Sequence, residues 1–164
     1  MYYINYFFVF SLIGHFIESF FYNPGSESGI LYGPYTPIYG LGVCFILFVF
    51  HYLKKKNISV LLIVICLFLF GFIGLSLLEL LGGLLIEHFF HVIFWDYSHM
   101  KFSIGHYISL EVGLVWGFSS VIVAYLIRPF FDKWITKIPK VVTWIFLIVF
   151  TVDCFITLFR KILF

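Results

Sequence analysis

Glu18, Glu79 and Glu111 each stand inside an otherwise apolar run of this 164-residue chain. A charge at the centre of a membrane helix costs about 2.5 to 3.5 kcal/mol on insertion scales, so carboxylates in such runs are candidates for ion or substrate handling, or for a buried pairing. Glu87 and Asp96 fall in the segment between two of the runs. Ser76, Glu79 and Gly83 follow at i, i+3 and i+7 and share a polar or small helix face, which should turn into a bundle. Asp153 is deeper in its own run, with Thr157 one turn on. Pairing with a neighbouring helix and a neutral carboxyl both fit it.

Other chemistries are less well supported. Glu87 and His91 at i, i+4, with His88, His99 and His106 nearby, offer divalent-metal ligand types, but no HExxH or other zincin spacing is present. The wet face of an amphipathic segment is the simpler reading, and no metal or cofactor is assigned. There is no GxSxG elbow, so no catalytic nucleophile is assigned. Cys44, Cys66 and Cys154 sit in apolar runs with no CxxC spacing and read as small hydrophobes. A GxxxxGKS motif is absent, so this chain does not bind ATP in the P-loop manner.

The elements that must position these carboxylates follow from composition. Hydrophobic residues make up 63% of the chain and charged residues 11%, against about a quarter charged in a soluble domain. A polytopic, all-α integral membrane protein is implied, and a soluble or disordered chain is excluded. The net charge of +2 and its dispersal exclude nucleic-acid binding. A single transmembrane domain of about five helices is expected, with spans near residues 2–22, 38–53, 58–81, 104–127 and 141–159. The first run lacks a basic n-region and reads as a retained span. Asn23, Pro24 and Gly25 should end it, while Arg128 and Pro129 should end the fourth. Gly82 to Ser103 is too polar to cross and reads as interfacial or re-entrant, and Phe130 to Ile138 as a short interfacial helix. Gly105, Ser109, Gly113 and Gly117 recur every four residues and form a ridge for close helix packing, within the bundle or in a homo-oligomer.

Seven of the ten basic residues, Lys54, Lys55, Lys56, Arg128, Lys133, Lys137 and Lys140, follow the second and fourth spans. The positive-inside rule makes those loops and the N-terminus cytoplasmic. Arg160 and Lys161 run against that assignment. Of the eight acidic residues, Glu18, Glu27, Glu79, Glu87, Asp96 and Glu111 gather toward the opposite face, where Glu18, Glu79, Asp96 and Glu111 could line one polar cavity shaped by Tyr39 and Trp95.

The run Leu31, Tyr32, Gly33, Pro34, Tyr35, Thr36, Pro37, Ile38, Tyr39, Gly40, Leu41, Gly42 resembles the ABC-transporter type IV, or CmpB-like, family of small bacterial membrane proteins. Glu18 agrees, as does a second block: Glu79, Gly82 or Gly83, Trp95, Asp96, Tyr97, Ser98 and Gly105. The resemblance covers roughly Phe16 to Trp116. After the second block the family usually shows Pro, Asn, Arg and Cys, where this chain has Lys101, Ser103, His106 and Ser109, so a site built on that Arg is not carried over. The resemblance implies a permease-like protein of the bacterial inner membrane, surrounded by lipid and with any ATPase a separate cytoplasmic polypeptide. A membrane-embedded enzyme using carboxylate or His acid-base chemistry, and a non-catalytic assembly or regulatory partner, are the alternative readings.

Overall fold

Ser59 accepts the amide of Leu62 at 3.3 Å and opens a helix that runs 31 residues to Phe90. That helix is the longest element of the computed structural model, which describes residues 1–22 and 31–163. In chain order the helices are α1 (Tyr2–Ile17), continued by a wide π-type turn over Glu18–Tyr22, α2 (Pro37–Lys54) and α3 (Val60–Phe90). A two-stranded antiparallel hairpin follows, β1 (Ser103–Ile104) and β2 (Ile108–Ser109). Then come α4 (Leu110–Ile122), a second π-type turn over Val123–Ile127, α5 (Arg128–Ile135) and α6 (Lys140–Leu163). Among the described residues four stretches are long and apolar enough to cross a membrane: Pro37–Lys54, Val60–Phe90, Leu110–Ile135 and Lys140–Arg160. A helix does occupy the region of the expected first span, but α1 has 16 residues before its wide turn and is not among these four. Asn23, Pro24, Gly25 and Glu27 lie outside the described residues.

The boundaries differ from expectation where local chemistry competes with hydropathy. The third helix does not stop at Leu81, because the Gly82–Gly83 pair is followed by three more apolar residues. It ends only at His91, whose left-handed backbone (φ 54°) returns its N–H to the Glu87 carbonyl at 2.9 Å. The fourth helix begins at Leu110, not Ile104. Gly105 occupies a left-handed hairpin position (φ 65°), and Ser109, with extended backbone, accepts the amide of Val112 at 3.2 Å as an N-cap. Gly105 and Ser109 therefore do not belong to the helical ridge, which is carried by Gly113 and Gly117. Pro129 does not end the helix either. The π-type turn over Val123–Ile127 widens the ladder just ahead of it, where the proline ring would otherwise press on the carbonyl of Tyr125.

The described residues form two compact units, Met1–Leu41 with Asp132–Phe164, and Gly42–Phe131. In the first, α1 is tied to the α5–α6 corner by polar contacts. The Asp132 carboxylate accepts the hydroxyls of Tyr2 and Tyr6, each at 2.8 Å. Asn5 accepts the Thr143 hydroxyl at 2.6 Å and donates to the Ile135 carbonyl at 3.3 Å. Farther along, Phe7, Phe8, Phe146 and Phe150 pack edge and face between α1 and α6.

In the second unit the buried positions of α3 are Ile63, Leu67, Gly71, Leu75, Glu79 and Gly83, a stripe with a strict step of four. It packs against Gly113, Gly117 and Ser120 of α4, as ridges of period four do. The rings of Phe72 and Phe68 lie where side chains at Gly113 and Gly117 would be, and a Cβ at Gly71 would meet the Ser120 hydroxyl and, at 2.9 Å, the Trp116 carbonyl. Gly71→Val is expected to destabilise this unit by about 1 to 3 kcal/mol through overpacking, read as a lower Tm in detergent. Gly42→Ala, which meets only a flexible Leu75 methyl at 3.3 Å, should leave Tm nearly unchanged.

Candidate functional site

Glu79 is the one carboxylate in the buried stripe of α3, and only 6% of it is exposed. Both oxygens are held. The Trp116 indole N–H of α4 donates to Oε2 at 2.7 Å, and the Tyr97 hydroxyl donates to Oε1 at 2.8 Å. The expected face is confirmed: Gly83 lies against the Tyr107 ring, and Ser76 turns its hydroxyl back to the Phe72 carbonyl at 2.7 Å. An acidic group with two neutral donors keeps its hydrogen-bonding capacity satisfied away from bulk water. Sequence reasoning found Glu79 but missed Tyr97 and Trp116 as its partners. The Trp-Asp-Tyr-Ser run offered the only signal.

The segment after α3 is locked to the hairpin. Tyr97 donates its amide to the His106 carbonyl at 2.8 Å, while Asp96 Oδ1 takes the Ser98 amide at 2.8 Å and meets His106 Nδ1 at 3.0 Å. Asp96 is exposed, and the Ser98 amide, followed by His106, pulls its carboxyl down to about 2. Trp95 stands edge-on to Tyr107, 5.9 Å between ring centres, and its indole N–H is buried with no partner among the described residues. The Tyr107 hydroxyl donates to Glu87 at 2.9 Å, and burial followed by that carboxylate raises its pKa. Glu111, in the first turn of α4, accepts the Ser109 hydroxyl at 2.9 Å and the Phe102 amide at 3.3 Å. Glu79, Asp96 and Glu111 thus share a unit but have three different settings: buried, solvent-facing and helix-terminal.

The first unit holds the other sequence-derived residues. Tyr39 donates to Glu18 at 3.1 Å, and its ring fills the space over Gly14. Gly40 lies against the Phe7 backbone and the Ser11 hydroxyl. Gly33 and Pro34 form a tight turn, with Tyr35 N–H on the Gly33 carbonyl at 2.8 Å, and Pro37 takes the first position of α2, where its missing N–H costs nothing. The loop is held by a residue whose role the sequence left open. Asp153 of α6 accepts the Tyr32 amide at 3.1 Å and the Gly33 amide at 2.8 Å, with the Thr157 hydroxyl at 3.3 Å. A Cβ at Gly33 would come 2.8 Å from Asp153 Oδ2. The Thr36 amide caps the Ser11 carbonyl at 3.0 Å. Asp153 lies about 20 Å along α6 from Lys140, well inside a stretch long and apolar enough to cross a membrane.

A family model described as Putative ABC-transporter type IV matches residues 5–158. The chain belongs to this family. No curated protein and no solved structure gives a match. As an ABC-transporter type IV family member it is a transporter-like membrane protein, and the matched region contains the Glu79 cluster, the Tyr39–Glu18 pair and the Asp153 contact. Among the described residues no three His, Cys, Asp or Glu side chains converge as metal ligands.

Asp153→Asn should lower stability by about 1 to 3 kcal/mol, because one of two backbone donors then faces an amide NH2. Faster hydrogen exchange confined to Tyr32 and Gly33 would report it. Asp96, with its folded pKa below the ordinary value near 3.9, holds Ser98 fully above about pH 4 and releases it as pH falls toward 2. The Ser98 amide resonance should therefore be constant from neutral pH to about 4 and move below it, and Asp96→Asn should abolish that movement.

Proposed function

We propose that the chain is the membrane-spanning, permease-like part of a bacterial inner-membrane transporter, with a cytoplasmic N-terminus and energy supplied by a separate cytoplasmic ATPase. Its polar site is organised around Glu79 and opens toward the non-cytoplasmic face. The observation that carries this reading is the buried Glu79 carboxylate held at both oxygens by Trp116 and Tyr97. Two residues before Tyr97, Trp95 offers a buried indole N–H with no partner among the described residues, a donor available to a passing acceptor. Asp96, pinned by Ser98 and His106, supplies a fixed negative charge at the solvent side of this site. Glu111 adds a second at the start of α4. In the other unit, Glu18 with Tyr39 forms a separate polar pair. The motif residues Gly33 and Pro34 form irregular backbone ahead of α2, of the kind that at membrane depth lines a cavity or is covered by protein, while Pro37 and Gly40 start the helix itself.

Affinity purification from native membranes should recover an ATPase polypeptide with the chain. In that complex Glu79→Gln is expected to preserve assembly and lower ATP hydrolysis at least about tenfold, the scale of one lost charge-assisted hydrogen bond. Recovery without any ATPase, or full hydrolysis in both Glu79→Gln and Asp96→Asn, would favour a non-catalytic assembly role instead.

A further inference from the structure

Within the first unit, the Asp153-anchored loop and α6 enclose a groove of about 440 Å³. Tyr32, Pro34 and Tyr35 form one wall, and Val149, Val152 and Ile156 form the other. The aliphatic wall is uncovered: Val149 and Val152 are each 50% exposed and Ile156 47%. Asp153 lies at the floor with its oxygens already taken by the Tyr32 and Gly33 amides, so the floor is not an open anion. Arg160 closes one end. It is exposed, and among the described residues it has no hydrogen-bond or ion-pair partner. Seven residues separate it from Asp153, about 10 Å along the helix axis and on the same face.

An apolar trough ending in an exposed guanidinium complements an amphiphile with an anionic head. The planar fork of Arg pairs phosphate oxygens two at a time, while the trough takes a hydrocarbon chain at the depth where lipid is the solvent. On the orientation expected from the sequence, Arg160 is also one of the few basic residues on the non-cytoplasmic side. We propose that this groove binds one anionic phospholipid, its phosphate on Arg160 and one acyl chain between Tyr32 and Tyr35 of the loop and Val152 and Ile156 of α6.

Purified protein in detergent, titrated with phosphatidylglycerol or phosphatidylcholine and followed by native mass spectrometry and Tm, tests the site. Phosphatidylglycerol is expected to remain bound and to raise Tm, phosphatidylcholine, whose choline cation offsets the same phosphate, to be retained more weakly, and inorganic phosphate, which has no chain for the trough, to have no effect. Arg160→Gln should weaken retention at least about tenfold, as expected for loss of a charge-assisted pair, and Arg160→Lys should keep most of it. Ile156→Trp should block binding with the charge intact, and at a half-exposed wall position it leaves the core undisturbed. Equal retention of the two lipids by the unmodified protein would overturn the proposal. So would phosphatidylglycerol binding that survives both Arg160→Gln and Ile156→Trp, an equal effect of inorganic phosphate, or a dimer forming in place of the lipid-bound chain.

Discussion

Hydrocarbon offers no partner to an N–H or C=O group, so every backbone amide placed at membrane depth has to be satisfied from within the protein. Helices do this by themselves. The loop from Leu31 to Thr36 does not, and its amides are met from outside: Asp153 takes those of Tyr32 and Gly33, and the Ser11 carbonyl takes that of Thr36. This is the contact on which the first unit depends. It lets α2 start beside the middle of α1, and it orients Tyr39 toward Glu18.

The two buried carboxylates answer the same constraint in different ways. Asp153 is matched by backbone donors that cannot rotate away, which suits an anchor. Glu79 is matched by the side chains of Trp116 and Tyr97, one from a helix and one from a segment outside it. Side-chain donors can exchange one acceptor for another without unravelling an element, so Glu79 is the better placed of the two to take part in events that begin and end.

Much of this was legible in the residues. A carboxylate inside an apolar run marks itself by the cost of being there, and the spacing of Ser76, Glu79 and Gly83 correctly assigned its face because helical periodicity is a local property. Gly113 and Gly117 were legible as packing positions for the same reason. The same four-residue step misled at Gly105 and Ser109, since a period cannot tell a ridge from a hairpin turn followed by an N-cap. Pro129 was read as a stop because the relief supplied by a widened turn at Val123–Ile127 has no signature in composition. Asp153 was the least legible residue. Its partners lie about 120 residues away, and they are amides, which every residue type carries, so no side-chain pattern points to them.

The length of α3 has a consequence for where Glu79 meets water. Thirty-one residues span about 46 Å. Even at a tilt of 40°, the upper end of the usual range, about 35 Å would remain along the membrane normal, more than the ~30 Å hydrocarbon layer. One end of α3 must therefore stand clear of the acyl chains. Glu79 is about 28 Å along the helix from Val60, at the margin between the part that must be covered and the part that cannot be. Shielding the carboxylate at that margin falls to protein rather than to lipid, and Trp116 and Tyr97 supply it.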